Sequence, residues 1–295
     1  MTNRRGEDGF VLIAVLWLLA ALAALASAYA AYAMRTAPSA SLPEERLRAE
    51  AAFRAGVELC AFRQLAWPKT SRPDAGAFST QVGASRIDVV YRLETARVDL
   101  NTASHDVIAG LFQQLGAGKS ASFIADRVVA WRGQLKDSER LQETAIYAKA
   151  KLSYSPPGAP FDNALDIALL PGMTPALTAR ALPFVTVFGV AKIDPFIADP
   201  VVLAALPGMT SQLASSFAKA RNGPRPDAGA LAQMAGPVKD LVGVDPSDYV
   251  RAEIVATLKD RLLRAEVVLK ITDTSPSPYE VLFWRDDFDG ERTGG

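Results

Sequence analysis

The 295-residue sequence has one cysteine, one histidine and no excess of charge of either sign. The lone Cys60 excludes an intramolecular disulfide framework and any single-chain zinc site built on two or more thiolates. The lone His105 excludes a two-histidine metal site and leaves one histidine at most for catalysis. Lysine and arginine number 32, as do aspartate and glutamate, so the basic excess that phosphate contacts require is missing. G-x-S-x-G, P-loop and G-x-G-x-x-G patterns are also missing, and with them the commonest nucleophile and nucleotide sites. What is present is material for a core: 49% apolar residues against 22% charged, in a chain long enough for about two domains.

The apolar residues are unevenly spread. From Phe10 to Met34 run 25 consecutive uncharged residues. As a helix rising ~1.5 Å per residue they span roughly 37 Å, enough to cross a hydrocarbon core of ~30 Å. Tyr29 and Tyr32 sit near one end, where amphipathic rings favour the interface. Arg4 and Arg5 favour a cytoplasmic N-terminus, an effect that Glu7 and Asp8 dilute, with the rest of the chain across the membrane. Three readings fit the segment. It is a plain signal anchor, a secretory signal peptide cut at Ala26-Ser27-Ala28 or Ala28-Tyr29-Ala30, or a type IV prepilin leader. The third rests on Gly9-Phe10, a glycine and a phenylalanine between a polar leader and the apolar run. Prepilin peptidase cuts such a leader and methylates the new N-terminal Phe10. Most pilins carry glutamate at the fifth mature position, which here is Ala14. An unpaired carboxylate in a bilayer costs ~2.5–3.5 kcal/mol on insertion scales, so it persists only where it has a partner. A subunit with nothing above it needs none.

Beyond the apolar run, Ser39–Pro43 with Pro38 and Pro43 predicts an interruption of the helix. Glu44–Leu65 predicts an amphipathic helix with Leu47, Ala49, Ala52, Phe53, Val57, Cys60 and Ala61 on its apolar face. Trp67–Gly76 reads as a polar loop. Phe78–Val82 and Arg86–Glu94 read as strands, as do Tyr249–Thr257, Leu263–Ile271 and Tyr279–Trp284. Between them lies an internal repeat: Arg97–Leu111 aligns with Lys192–Leu206 at a constant offset of 95. Each copy reads as a short extended piece, a polar cap and an apolar helix, with Thr102 or Ser104 capping the first and Asp199-Pro200 opening the second. Leu-Pro-Gly-Met-Thr also occurs twice, at Leu170–Thr174 and Leu206–Thr210. Lys136–Asp162 reads as a long surface loop. Strands on both sides of a helical block predict an α+β protein, with an antiparallel sheet and an inserted all-α domain containing helix-hairpin-helix-like repeats. The predicted boundaries are a leader at 1–9, an assembly helix at 10–34, sheet segments at 35–96 and 236–295, and the insertion at 97–235.

No catalytic constellation emerges. His105 in NTASHD reads as helix-start polarity, and Cys60 as a small buried hydrophobe. The Leu-Pro-Gly-Met-Thr hairpins resemble the phosphate-binding turn of DNA binders, but Thr174 and Thr210 replace its second glycine and few cations flank them. Helix-on-helix packing suits them better, and no nucleic-acid partner is expected. The acidic clusters Asp137, Glu139, Glu143 and Asp286, Asp287, Asp289, Glu291 offer oxygen ligands suited to calcium, without EF-hand spacing.

Taken in order, the Gly9-Phe10 leader with Ala14, VDLNTAS at Val98–Ser104, LLPGMTPALTARALPFVTVFG at Leu169–Gly189, the second LPGMT and YEVLFWR at Tyr279–Arg285 resemble the K-type minor pseudopilin (GspK) family of bacterial type II secretion systems. The resemblance implies a pilin-like domain with a large helical insertion, anchored in the inner membrane by a single pass with its head in the periplasm. It implies a non-enzymatic subunit at the tip of the pseudopilus. Its implied partners are the I- and J-type minor pseudopilins, prepilin peptidase and the inner-membrane assembly platform. Two departures stand out. Pro195-Phe196-Ile197 replaces the second Asn-Thr-Ala, predicting a different cap there. Some members bind calcium near a tryptophan-led acidic stretch, where this chain has Trp131-Arg132-Gly133, so no cofactor is expected, calcium being the one ion to consider. The reading from another class is a secreted or periplasmic helix-hairpin-helix binder released by signal-peptide cleavage.

Overall fold

A computed structural model describes residues 7–292 except 134, 222, 224–225, 259–260, 273 and 275. The chain opens with one helix, α1 (Glu7–Leu65). The expected interruption at Ser39–Pro43 is absent. Each proline forfeits one backbone bond to the carbonyl four residues earlier, while the turns on either side stay paired. The second half of α1 buries Ala49, Ala52, Phe53, Val57, Cys60 and Ala61, a stripe of three- and four-residue steps. Leu47, expected on that stripe, is 67% exposed.

After a short 3₁₀ turn come β1 (Ala75–Val82) and β2 (Ser85–Leu93). A helical block follows, entered through β3 (Val98–Asp99). It contains α2 (His105–Gln114), α3 (Ala121–Arg132), α4 (Asp137–Lys149), α5 (Pro175–Ala181), β4 (Val185–Thr186), α6 (Pro200–Ala204), α7 (Ser211–Ala220) and α8 (Ala228–Ala235). The chain then returns through β5 (Tyr249–Leu258), β6 (Arg261–Ile271) and β7 (Tyr279–Arg292). Five strands form one sheet in the order β1-β2-β5-β6-β7, every neighbour antiparallel. One face of it packs on α1: Ile87, Val89, Ile254 and Val267 lie against Phe53, Val57 and Cys60 in a continuous core. The architecture is α+β, as the order of elements predicts.

Lys136–Asp162 is not a loop throughout, since α4 occupies its first half. Only Glu143 and Tyr147, one turn apart, are buried there, so the sequence reads as polar although it is helical. The strand starting at Tyr279 also runs further than expected, carrying the acidic residues to Arg292.

The repeat folds as two like units. Val98 pairs in parallel with Val185, and Ile193, its counterpart, pairs in parallel with Val242. The Asp99 carboxylate accepts from Asn101 N at 2.7 Å, and that of Asp194 accepts from Phe196 N at 2.9 Å. Both aspartates accept through their carbonyls from the amide four residues on, at 2.9 Å in each copy. The turn therefore survives the Pro195-Phe196-Ile197 replacement. What changes is the side chain at its tip: Asn101 bonds Phe161 and Val187, whereas Phe196 packs edge-on against Phe217. Ser104 caps α2 and Asp199 caps α6, while the Thr102 hydroxyl donates to Val190 O at 2.6 Å. The two Leu-Pro-Gly-Met-Thr copies also match. Each makes a turn closed from Met N to Leu O, with its glycine at positive φ as a type II turn requires. Each threonine then caps the next helix, Thr174 bonding Leu177 N and Thr210 bonding Leu213 N.

Candidate functional site

In the N-terminal half of α1, none of the described side chains is buried. Ile13–Tyr32 has mean hydropathy 2.2, none of it is buried, and it is long and apolar enough to cross a membrane. Ala14 lies on this exposed stretch. Gly9 and Phe10 fall in the first turns of α1, their side chains outside the described residues, as are residues 1–6 of the expected leader.

The helical block is tied to the sheet by charge. Glu94, at the exit of β2, is fully buried and takes two bonds from Arg251 on β5, at 2.7 and 3.1 Å. Arg97, where the chain enters the block, reaches Glu94 at 3.5 Å and donates Nε to Pro183 O, just before β4, at 2.9 Å. Arg251 also bonds Glu266 on β6 at 2.6 Å, and Glu266 accepts from Arg285 on β7. Burial disfavours the charge on Arg251, but Glu94 and Glu266 outweigh it and raise its pKa. Burial likewise opposes ionisation of Glu266, but Arg251 and Arg285 hold its carboxyl below the usual range. Sequence reading missed this network. Its one signal is alternation: Arg251 and Glu253 on β5, and Arg264 and Glu266 on β6, put charge on the sheet face opposite α1.

The other singled-out residues stay apart. Cys60 is buried on the sheet-facing side of α1, where desolvation pushes its thiol up to about 12, so it is no nucleophile at neutral pH. Glu143 pairs with Arg127 at 2.7 Å, Glu139 accepts from Lys136 N at the start of α4, and Asp286 accepts from the Trp284 indole. Among the described residues no group of three or more histidine, cysteine, aspartate or glutamate side chains could hold a metal.

His105 joins α2 to α3, its Nδ1 3.0 Å from Asp106 and its Nε2 3.2 Å from Asp126. The Asp106 bond raises its pKa against the effect of burial, and the Asp126 charge adds to it. The raised folded-state value makes this contribution fully present below about 6.5 and lost as pH rises through the folded-state pKa. The single imidazole resonance should therefore titrate above 6.5, and Asp106→Asn should bring it down. Added salt should shrink the shift, because the pair is partly exposed. A midpoint at or below 6.5 in the unsubstituted chain would show that neither carboxylate holds the ring.

The family model for the type II secretion system (T2SS), protein K, matches residues 89–190, from within β2 to just past β4. Among solved structures, the chain is similar to one in the crystal structure of the GspK-GspI-GspJ complex from the enterotoxigenic Escherichia coli type 2 secretion system. The likeness has 16% identity and a TM-score of 0.57 over 86% of this chain and 99% of that one. At that identity it establishes a shared fold. No curated protein matches the chain in sequence. The matched residues 89–190 hold the junction residues Glu94 and Arg97 and the first copy of the repeat, and resemble the protein K family of type II secretion systems over about a third of the chain.

Proposed function

We propose that the protein is a structural minor pseudopilin of a type II secretion system, at the tip of the periplasmic pseudopilus, supporting its assembly and the export of folded proteins across the outer membrane. The observation that carries this is the protein K domain at 89–190, set in a head whose leading helix exposes an apolar 20-residue span. The reading is single-pass in the inner membrane, with Arg4 and Arg5 on the cytoplasmic side. Its partners are the I- and J-type minor pseudopilins, with prepilin peptidase and the inner-membrane assembly platform acting on the way. Ala14 suits a terminal subunit, since no neighbour above offers an amine to a glutamate there. The Leu-Pro-Gly-Met-Thr hairpins serve helix packing, because both threonine hydroxyls are used on their own helices. The reading includes no catalysis and no metal; Glu143, the buried acid of the Asp137, Glu139, Glu143 cluster, is occupied by Arg127.

The test is the intact mass and N-terminal sequence of the mature chain from membranes of a host expressing prepilin peptidase. A chain starting at Phe10, with or without N-methylation, is the expected result. A start near Tyr29 or Ala31 would mean a secreted protein, and an uncut Met1 a plain anchor. Either removes the mechanical basis of the tip reading.

A further inference from the structure

The charged sheet face opposite α1 does not lie flush against the helical block. Between them is a cavity of about 420 Å³, within the size range of sites for small organic ligands. The block supplies apolar walls, Leu165, Ala179 and Leu182 among them, and Leu282 on β7 continues them. The sheet supplies charge through the guanidiniums of Arg251, Arg264 and Arg285, joined by Arg97 at the entrance to the block. A cavity apolar on one side and charged on the other fits an amphipathic molecule. The groups left without partners decide the sign of its charge.

Arg251 and Arg285 are both bonded to Glu266, which also lines the cavity. Two other guanidiniums are less engaged. Arg97 donates Nε to Pro183 O and holds Nη1 at a long 3.5 Å from Glu94, which leaves Nη2 without a bond and open to solvent. Its side chain is 11% exposed, and burial outweighs the pull of Glu94 and lowers its pKa, so this guanidinium is short of negative charge. Arg264 on β6 makes no ion pair among the described residues.

Two acids on the lining, Asp162 and Glu253, are unpaired among the described residues as well, but both are exposed. Water screens an exposed carboxylate far more than it screens a guanidinium as buried as Arg97. A cation entering the cavity would meet screened acids and a poorly screened arginine. An anion supplies the charge that Arg97 lacks, and the planar guanidinium fork matches a carboxylate in shape. We infer that the cavity is a binding site for a small organic carboxylate, its acid group held by Arg97 with Arg264 adding positive charge, and its apolar body against Leu165, Leu182 and Leu282.

The experiment titrates phenylacetate into the full-length chain in a non-ionic detergent and reads binding by calorimetry, with empty micelles subtracted. A Kd of about 1 mM or below is expected. Acetate, which has the charge without the body, should bind at least ten-fold more weakly. Benzylamine, which has the body with the opposite charge, should give no heat beyond the micelle blank. Arg264→Gln should weaken phenylacetate binding several-fold, and Glu253→Gln should tighten it. Both positions are exposed, so thermal midpoints should stay at the unsubstituted value. Arg97→Lys keeps the charge and loses the fork, and should weaken binding by about ten-fold. Leu165→Asn, at a position 44% exposed, should weaken phenylacetate and leave acetate unchanged. Absence of phenylacetate binding, binding no tighter than that of acetate, or equal binding of benzylamine overturns the site. So does an affinity that neither Arg264→Gln nor Glu253→Gln moves.

Discussion

Glu94→Gln is expected to destabilise the head by about 3–5 kcal/mol, the cost of leaving a buried ion without its partner. The change keeps shape and removes charge. Glu94 is fully buried and neutralises two guanidiniums, Arg251 at 2.7 Å and Arg97 at 3.5 Å, whose side chains are 8% and 11% exposed. A glutamine turns a neutral amide toward both and cannot replace the lost charge. Arg251 keeps Glu266, but Glu266 already serves Arg285, so three arginines would share one carboxylate. Urea or thermal unfolding of the detergent-solubilised chain reads the loss. The double variant Glu94→Gln/Arg251→Met should recover part of it, because replacing both members of a buried pair costs far less than stranding one. A Glu94→Gln chain as stable as the unsubstituted one would mean that apolar packing alone holds the block on the sheet. Acid should act on the same network. The Glu266 carboxyl titrates below its usual value in the folded state, so its contribution is fully present above about 4.5 and lost as pH falls through that lower value.

The network shows what a sequence hides. Strands β2, β5 and β6 were legible because period-two alternation is a local signal, and the repeat was legible because it is a comparison of the chain with itself. The pairing of Glu94 with Arg251 joins residues 157 apart in sequence, and no local pattern announces it. Helix α4 was hidden for another reason: its buried stripe consists of a glutamate and a tyrosine, which a reading of apolar periodicity discounts. The prolines at 38 and 43 mark where a helix is weakened, but whether it breaks depends on the turns either side. Of the candidate site, the apolar span, Ala14 and the family motifs were visible in the residues. The cavity beside Leu282 was not, since its walls come from β7, α5 and the turns around α5.

Gly110→Ala should be the most damaging small substitution in the helical block, and local propensity predicts the opposite sign. Glycine inside a helix costs roughly 0.5–1 kcal/mol relative to alanine, so in isolation the change would stabilise α2. In the folded chain a Cβ on Gly110 would lie 2.1 Å from the carbonyl oxygen of Ala205 and 3.0 Å from its carbonyl carbon. The obstacle is backbone at the end of α6, which cannot rotate away. Helices α2 and α6 would have to separate, opening the core around Ile108, Leu111, Val202 and Leu203. Overpacking commonly costs ~1–3 kcal/mol where side chains can adjust, and a backbone clash belongs at or above the top of that range. Positions 110 and 205 are themselves equivalent in the offset-95 repeat, so the two units meet at corresponding points, and one must lack a side chain for the other's carbonyl to fit. Since the clash is with that carbonyl, Ala205→Gly should fail to rescue Gly110→Ala. Unfolding midpoints of the single and double variants decide between the two signs. A Gly110→Ala chain more stable than the original would mean that the units are not in contact at this point. Rescue by Ala205→Gly would mean that side-chain volume, not the backbone, sets their separation.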